Sequence, residues 1–339
     1  MTLYMKTTHI KTAHTKASRP LRRLPLSAMF AGVLLSFCGT GAQAASAVIT
    51  GSDGWLFPAW ESLSKVDTAG TTRSIALIKD LQQQLQRKHI GLLVLVVPMK
   101  APFYAQRLPA AQPLSPTVAQ RYEQLYGAMS KAGLTTLNIK PILRQTEQGE
   151  QTAFYRADYH WTAWSAENTA DATAKLINER YKLQGQPGGG AMLGEWFDKR
   201  AFGDLASNFL PAVKRKAIGR DIYTVRHQVE KDLLIDDAPA PVHVIGNSFV
   251  QPYLGFTQKL SNALDRPVTL TWNPGDVGPW ATMLQYLESP DFAQQKPQVI
   301  VWQFNEGQFQ LGPDASANWN AKGVTSLSRW HQRINKALP

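Results

Sequence analysis

The chain has 339 residues, of which 44% are hydrophobic and 18% charged. This composition supports a packed core and excludes a globally disordered protein. The length suits one large α/β domain or two small ones.

Residues 1–44 have the features of a secretory signal peptide. The first 23 residues contain six Lys and Arg residues and no acid, an apolar stretch runs from Leu24 to Phe37, and Ala42-Gln43-Ala44 has the small-x-small pattern of a cleavage site. The apolar stretch is shorter than the roughly 20 residues that span a bilayer. We therefore expect export to the periplasm, with an uncleaved membrane anchor as the alternative. Bulky Phe37 before Cys38 argues against a lipoprotein.

The charge that remains without residues 1–44, together with the cysteine and histidine content, indicates which partners and which chemistry to expect. The formal net charge falls from +11 to +5, because this segment holds six cations and no acid. The remaining charge suits an anionic polymer, although solvated lysines explain it equally well. An exported chain without a dense basic and aromatic stripe is not expected to bind nucleic acid. Cys38 is the single cysteine, and no histidine spacing is typical of a metal site, so we predict no metal and no cofactor.

Alternating helices and strands predict a doubly wound α/β fold. Helices are predicted from apolar residues every three or four positions, and strands from continuous apolar runs. The first predicted element is a turn-rich opening at 50–60 that buries its aromatic residues. It is followed by a helix at 72–88, a strand at 92–97, a helix at 117–131, a strand at 135–139 and a helix at 163–181 with Thr162 as N-cap. After a Gly-rich loop or partly ordered insertion at 184–208 come a strand at 242–245, a helix at 250–264, a strand at 268–272, a helix at 280–288 and a strand at 298–304. This order predicts a parallel sheet with helices on both faces, in a single domain over residues 45–339.

Ser248 is the candidate nucleophile. It follows Gly246-Asn247 at the carboxyl end of a predicted strand, where ligands bind in open α/β sheets. A turn of this kind raises a hydroxyl out of the sheet and directs the amides of the next helix toward an oxyanion. The alternative interpretation is that Asn247 and Ser248 only cap that helix.

Asp158 and His160 are the candidate partners of the serine. A serine hydroxyl needs a base, and the base needs an acid that orients it. With one residue between them, the two side chains project to the same side of an extended segment. The alternative is a surface Asp and a half-buried His packed between aromatic residues.

Six short segments share a characteristic order along the chain. They are Gly51–Phe57, Val97–Lys100, Asp158–Thr162, Phe202–Leu205, Gly246–Phe249 and Val301–Glu306. Together they resemble the SGNH-hydrolase-like O-acetyltransferases of the AlgX/AlgJ type, periplasmic proteins that acetylate alginate and related exopolysaccharides. The D-x-H segment precedes the serine, whereas it follows the serine in ordinary SGNH hydrolases. The resemblance therefore implies an SGNH-like sheet with a permuted order of catalytic motifs.

The resemblance also implies roles and partners. Ser248 becomes the nucleophile, His160 the general base and Asp158 the residue that orients it. The acetyl group would come from a membrane-bound O-acyltransferase, and other polysaccharide secretion proteins would be partners. Two departures are Asn247, where many relatives carry Asp, and Gln303, where Glu is expected.

The oxyanion and substrate contacts are predicted less directly. The Ser248 backbone N–H is the first candidate oxyanion donor. A glycine of the turn Asn273–Pro279 is the second, with Gly278 slightly favoured, and Asn273 of the same turn is a further candidate. These are equally typical of an ordinary turn. Lys100 and Arg156 are candidates to meet polymer carboxylates, with a solvated lysine or a structural ion pair as the alternative. Tryptophans that either stack on sugars or fill the core include Trp161, Trp164, Trp272 and Trp280.

Three functions are compatible with these residues. The first, which the resemblance favours, is transfer of acetyl groups to an exopolysaccharide through an acetyl-serine. The second is an acetylesterase with the same triad, in which water replaces the sugar. The third is a non-catalytic polysaccharide-binding component of a secretion complex.

Overall fold

A five-stranded parallel sheet forms the centre of the computed structural model, which describes residues 47–148, 151–229 and 239–339. The strands of the molecule are β1 Val48–Thr50, β2 Leu56–Pro58, β3 Gly91–Val97, β4 Thr135–Thr136, β5 Trp196–Ala201, β6 Asp221–Arg226, β7 Val242–Gly246, β8 Val268–Trp272 and β9 Val299–Asn305. The central sheet has the order β4-β3-β9-β7-β8 with every pair parallel. Strands β3, β7 and β9 are buried along almost their whole length, which explains their continuous apolar sequences.

Helices flank this sheet. They are α1 Thr68–Arg87, α2 Pro116–Ala119, α3 Arg121–Lys131, α4 Lys140–Gln148, α5 Ala163–Arg180, α6 Asp204–Phe209, α7 Ala212–Ile218, α8 Phe256–Leu264, α9 Pro279–Leu287, α10 Pro290–Gln294, α11 Glu306–Phe309 and α12 Leu327–Ala337. Helix α1 packs on β3, α9 packs on β7, and α5 packs on α8. Thr162 caps α5 as predicted, because its hydroxyl accepts the Ser165 N–H.

The strand order creates a crevice at one edge of the sheet. The chain moves outward in one direction from β3 to β4 and in the opposite direction from β7 to β8, while β9 lies between β3 and β7. The carboxyl ends of β3, β9 and β7 therefore meet at a topological switch point, the usual position of a ligand site in such sheets.

Two small antiparallel sheets lie outside the central one. Strands β1 and β2 pair over three residues, and β5 and β6 pair over six. Strand β5 and helix α6 occupy part of 184–208, so of the two predictions for this segment the loop was wrong there and the partly ordered insertion was closer to the structure. The partner of β5 lies about 25 residues further along the chain, and a pairing over that separation leaves no local pattern.

Other predicted boundaries also change. The helix expected at 250–264 begins only at Phe256, because two 3₁₀ turns, Ser248–Val250 and Pro252–Leu254, and a left-handed Gly255 (φ 83°) precede it. The helix expected at 117–131 is divided at Gln120. The strand expected at 135–139 retains only its first two residues.

Residues 45–339 form one compact unit. The predicted signal segment lies outside the described residues. Within the part of the chain that the structure describes, no helix combines the length and apolar character that a bilayer crossing requires.

Candidate active site

A continuous chain of hydrogen bonds joins the three predicted catalytic residues. His160 Nε2 lies 2.8 Å from Ser248 Oγ, and His160 Nδ1 lies 2.7 Å from Asp158 Oδ1. Asp158 and His160 are each 1% exposed, and Ser248 is 9% exposed. The serine and histidine are 88 residues apart in the chain. The fold therefore assembles the arrangement of nucleophile, base and orienting acid that acyl transfer requires.

The Asp158–His160 segment is a bent loop, so the condition of an extended segment is not met. Residues 156–160 are bends, held between the bridge partners Phe154 and Trp161. The Asp158 carboxylate reaches the imidazole because its Oδ1 also accepts the His160 backbone N–H at 3.0 Å. Trp161 Nε1 then donates to the Phe249 carbonyl at 2.9 Å, which ties this loop to the serine turn.

Two further donors hold the second oxygen of Asp158. Tyr223 Oη donates to Asp158 Oδ2 at 2.6 Å, and the Asp204 backbone N–H donates to the same atom at 3.2 Å. Burial opposes ionisation of Asp158, but the adjacent His160 and these hydrogen bonds keep its pKa below the ordinary value. The carboxylate is thus charged and fully oriented. Sequence reasoning missed Tyr223, which lies 65 residues from Asp158 in the chain and carries no motif.

Gly203 allows the Asp204 amide to approach Asp158. A Cβ atom at position 203 would lie 2.2 Å from the Ala157 carbonyl oxygen, closer than any real contact. Helix α6 begins immediately after this glycine. The Phe202–Leu205 segment therefore contributes a close backbone contact to the site, a role that its sequence alone did not reveal.

Tyr159 is a second residue that sequence reasoning left without a role. Its hydroxyl lies 3.1 Å from Ser248 Oγ, and its ring lies 4.0 Å from the His160 ring. Burial raises the pKa of Tyr159 to about 12, so the phenol stays protonated near neutral pH. The serine oxygen is thus contacted both by the base and by a neutral hydroxyl.

The two departures from the family pattern have clear structural roles. Asn247 Oδ1 accepts the Phe249 N–H at 3.1 Å and caps the 3₁₀ turn. Gln303 is fully buried, and its Oε1 accepts the Asn247 N–H at 3.0 Å. The capping interpretation is therefore correct for Asn247, while Ser248 has its hydroxyl directed at His160.

The structure separates the oxyanion candidates. The Ser248 N–H donates to no other described residue, which leaves it free for an oxyanion. Gly275 lines the cavity in front of Ser248, whereas Gly278 and Asn273 do not. Gly278 has a left-handed φ of 80° and packs its Cα against Trp319, and the Asn273 amide donates to Thr282 and Gln285. Gly278 and Asn273 thus serve the turn, so the structure does not place them as substrate contacts.

Lys100 is neither a polymer contact nor a solvated lysine. Its side chain is 2% exposed, and Nζ donates to the carbonyl oxygens of Leu56, Arg156 and Asp158 at 2.7, 2.7 and 2.8 Å. Burial lowers the pKa of Lys100 to about 7, whereas three carbonyl acceptors favour the ammonium, the form with three protons. All three ammonium protons donate to backbone carbonyls. Lys100 therefore holds the Asp158–His160 loop in place and has no free proton for a substrate carboxylate.

Arg156 forms a structural ion pair, which was the alternative interpretation of this residue. Its Nη2 lies 2.9 Å from Asp221 Oδ1, and its Nη1 donates to the Ile218 carbonyl at 3.1 Å. Asp221 Oδ2 in turn accepts the Ala157 N–H at 2.6 Å. The pair therefore braces the catalytic loop and is not among the residues that line the cavity at Ser248.

A cavity of about 600 Å³ opens in front of Ser248 and is called the acceptor cavity below. Its aromatic lining consists of Trp60, Tyr159, Phe209 and Trp319, and the Trp60 ring contacts the rings of Tyr159 and Phe209. Trp60 is 54% exposed, whereas Trp55 and Phe57 are buried. The prediction that the opening segment buries its aromatic residues was thus wrong for Trp60.

The predicted tryptophans divide between core and surface. Trp161 and Trp280 are buried in the core, Trp164 stacks on Trp196, and Trp272 is 37% exposed. None of these four residues lines the acceptor cavity.

The Asp158, His160 and Asp204 side chains also lie close enough to hold a metal ion, since one ligand atom from each falls within 4.8 Å of the others. The hydrogen bonds favour a different interpretation. His160 Nδ1 is bonded to Asp158 Oδ1, and Tyr223 and the Asp204 amide occupy Oδ2. These atoms orient the imidazole, and we assign the cluster to the triad.

A parallel α/β sheet that aligns Ser248, His160 and Asp158 at its switch point defines a protein of the SGNH-hydrolase-like class. The family described as "SGNH hydrolase-like domain, acetyltransferase AlgX" matches residues 48–306. The chain belongs to that family, and the predicted resemblance and fold class are confirmed.

Similar proteins include relatives named AlgJ and relatives named AlgX. The chain is 28% identical over 295 residues to a probable alginate O-acetylase AlgJ of Pseudomonas fluorescens, which covers 83% of this chain and 74% of the relative. It is 24% identical over 266 residues to the alginate biosynthesis protein AlgX of Pseudomonas syringae pv. tomato, which covers 74% of this chain and 53% of that one. The solved O-acetyltransferase domain of Pseudomonas putida AlgJ superposes with a TM-score of 0.70 at 27% identity, over 86% of this chain and 99% of the domain. Membership in this family supports acetyltransferase activity.

Proposed function

We propose that the protein transfers acetyl groups to hydroxyls of an alginate-like or other exopolysaccharide in the periplasm, with Ser248 as the nucleophile. The observation that carries the proposal is the Asp158–His160–Ser248 hydrogen-bond chain, which ends at the acceptor cavity. The alginate O-acetylase name of the relatives supports the acetyl group and the polysaccharide. The predicted signal segment, residues 1–44, would direct export.

In the first step, the Ser248 oxygen attacks the carbonyl carbon of an acetyl donor. His160 Nε2 accepts the hydroxyl proton as the new C–O bond forms, and it returns that proton to the leaving group as the donor bond breaks. The charged Asp158 stabilises the imidazolium that exists between these events. The Ser248 N–H, which donates to no other described residue, would bind the developing oxyanion. The product is an acetyl ester of Ser248.

In the second step, a sugar hydroxyl replaces the leaving group. His160 Nε2 accepts its proton, the sugar oxygen bonds to the acetyl carbon, and the bond to Ser248 Oγ breaks as the proton returns to the serine. Tyr159, 3.1 Å from Ser248 Oγ, is positioned to donate to that oxygen as it becomes the leaving group. An acceptor bound in the cavity displaces the water that would otherwise hydrolyse the acetyl-serine.

The acetyl supply follows from the proposed location. An exported enzyme has no access to cytoplasmic thioester donors, so a membrane-bound O-acyltransferase would deliver the acetyl group. Other polysaccharide secretion proteins would present the polymer. Both partners belong to the proposal and would be sought by co-purification from a polymer-producing cell.

The test uses purified protein, p-nitrophenyl acetate as donor, and short acidic and neutral oligosaccharides as acceptors. Mass spectrometry follows acetylated sugars and the acetylated Ser248 peptide, with Ser248→Ala as the matched variant. We expect acetylated oligosaccharide that depends on Ser248.

Two other outcomes would overturn the proposal. Serine-dependent release of acetate without sugar product, across all acceptors, would identify an acetylesterase. Folded protein with no Ser248-dependent turnover would indicate a non-catalytic component, and in that case Ser248→Ala would also preserve polymer acetylation in cells.

A further inference from the structure

We infer that Asp204 is a second carboxylate partner of His160, a positioning residue whose negative charge stabilises the imidazolium that forms when Nε2 accepts a proton. This inference rests on the proposed function and deepens it, since it concerns the base that serves both steps of acetyl transfer. Asp204 itself takes up no proton. The Ser248 proton still passes to His160 Nε2 and from there to the leaving group.

The Asp204 carboxylate lies beside the imidazole nitrogen that Asp158 also contacts. Asp204 Oδ2 is 3.5 Å from His160 Nδ1, and Asp158 Oδ1 is 2.7 Å from the same atom. Among the described residues, His160 is the only hydrogen-bond or ion-pair partner of the Asp204 side chain. A negative charge at this distance stabilises the imidazolium and has little effect on the neutral ring. Asp204 thus adds a second negative charge where the reaction creates a positive one.

Backbone contacts on both sides fix the position of Asp204. Its N–H donates to Asp158 Oδ2 at 3.2 Å, and the Ala206 N–H donates to the Ala157 carbonyl at 3.3 Å. These two bonds attach the start of α6 to the catalytic loop. The carboxylate is therefore held near His160 before the proton moves, which is the condition for electrostatic stabilisation without reorganisation.

The two carboxylates differ in exposure. The Asp158 side chain is 1% exposed, whereas that of Asp204 is 43% exposed. Both line a second cavity of about 390 Å³, and Ser248 is not among the described residues that line it. Burial and the Asp158 charge raise the pKa of Asp204, and His160 opposes this effect, so both neighbours act on its charge. Because a half-exposed carboxylate keeps part of its hydration, we expect Asp204 to contribute less than Asp158.

Other titratable groups surround this pair of carboxylates, and a comparison of variants must hold them constant. They are the phenols of Tyr159, Tyr223 and Tyr253, the basic groups of Lys100, Lys199, Arg226 and His227, and the carboxyl groups of Glu61 and Asp221. Burial raises the pKa of each of these tyrosines, so they stay neutral near neutral pH. Arg226 is bonded to Glu167 at 2.7 Å, and no described basic residue other than His160 pairs with Asp204. A substitution that changes only Asp204 therefore isolates the effect of its charge.

The test follows purified protein with p-nitrophenyl acetate and no sugar, so its result does not depend on the acceptor. The pH profile of kcat/KM for p-nitrophenol release reports the protonation state of the base in the free enzyme, and Ser248→Ala gives the background. Asp204→Asn removes the charge and keeps both the side-chain size and the N–H that donates to Asp158. Asp198→Asn is the matched control, because this residue is exposed on neighbouring β5 and does not line the second cavity.

We expect two linked changes in Asp204→Asn. The acid limb of the profile, where activity rises as the base loses its proton, should move to lower pH by about 0.5 to 1 pH unit, because the imidazolium loses a stabilising charge. The plateau above this limb should fall by about three- to tenfold for the same reason. Asp204→Glu retains the charge and should recover most of both, and the control should keep the wild-type profile. The position of the acid limb does not depend on the fraction of folded protein, so a partly unfolded variant still tests the inference.

The failures of the two claims are distinguishable. A lower plateau with an unmoved acid limb overturns the inference, because Asp204 would then serve only the start of α6 or the placement of Asp158. An unchanged profile also overturns it, and either result leaves acetyl transfer through Ser248 standing. Serine-dependent turnover without acetylated sugar overturns only the transfer in the proposed function, because the same base serves hydrolysis. Absence of Ser248-dependent turnover in the folded wild type overturns the proposed function and this inference together.

Discussion

The Asp158–His160–Ser248 hydrogen-bond chain and the cavity in front of Ser248 are neighbours of opposite construction. Asp158 and His160 are each 1% exposed, and both oxygens of Asp158 are hydrogen-bonded. In the cavity, Trp60 is 54% exposed, and the carboxyl group of Glu61 has no partner among the described residues.

From this difference we expect the buried residues to govern the reaction rate and the cavity residues to govern the selectivity for the acceptor. A buried and fully bonded group holds its geometry through the reaction, which is what proton transfer and oxyanion stabilisation require. Exposed side chains with free polar atoms are available to a ligand and tolerate substitution. We therefore expect substitutions in the triad region to abolish activity or fold stability, and substitutions in the cavity to change the choice of acceptor.

The largest expected effect is that of Asp158→Asn. The amide is isosteric but does not enforce the imidazole tautomer that accepts the Ser248 proton, so acetyl transfer should fall on the order of 10⁴-fold. Initial rates with p-nitrophenyl acetate and a short oligosaccharide acceptor measure it, and Asp171→Asn, exposed on α5, is the control. A loss below tenfold would show that the carboxylate does not orient His160.

Lys100→Met tests whether the buried ammonium holds the catalytic loop. The substitution removes the ammonium that donates to the carbonyls of Leu56, Arg156 and Asp158 in a buried region, and the Arg156 carbonyl keeps the Leu56 N–H as a donor. This loss should lower the free energy of unfolding by about 3 kcal/mol or more. Urea unfolding measures this, with exposed Lys175→Met as the control. Equal stability of the two variants would contradict the assigned role.

The pH dependence of stability tests the environment of Glu61. Burial raises its pKa from 4.5 to about 7, so between these values the folded state binds more protons than the unfolded state. The free energy of unfolding therefore falls as pH rises across this interval, by about 1–2 kcal/mol after allowance for partial exposure. The wild type should show this fall relative to Glu61→Gln in urea titrations at about pH 4.5 and about pH 7.5. Parallel curves would show that Glu61 is solvated.

The smallest expected effect belongs to Tyr159, which lies in both regions. Tyr159→Phe keeps the ring on the cavity wall and removes only the hydroxyl that contacts Ser248 Oγ. Loss of one hydrogen bond should lower kcat for acetyl transfer by about 3- to 10-fold, with KM for the oligosaccharide acceptor unchanged. A changed KM with an unchanged kcat would place the hydroxyl in acceptor binding instead.

Local patterns were sufficient for the parallel sheet and for the residues of the Asp158–His160–Ser248 hydrogen-bond chain. Strands β3, β7 and β9 were predicted to within one residue, because a strand buried on both faces is rich in apolar residues throughout, and the half-exposed edge strand β8 was predicted residue for residue. The hydrogen-bond chain was predictable because its serine follows a strand and its D-x-H pair is contiguous. Most other site residues had no such marker. Lys100 lies in a recognised segment, yet only the fold shows that its ammonium is buried against three carbonyls.

The sequence by itself thus determined the fold class and the family, and it predicted the three residues that the Asp158–His160–Ser248 hydrogen-bond chain joins, since each depends on contiguous residues or on their order. The tertiary structure decided what surrounds them. It brought Tyr223 to Asp158 across 65 residues, placed exposed Trp60 and partly buried Glu61 in the cavity at Ser248, and paired β5 with β6. Such contacts form between positions far apart in the chain, and the energy that selects them comes from packing and hydrogen bonding in the complete fold, which no local pattern records.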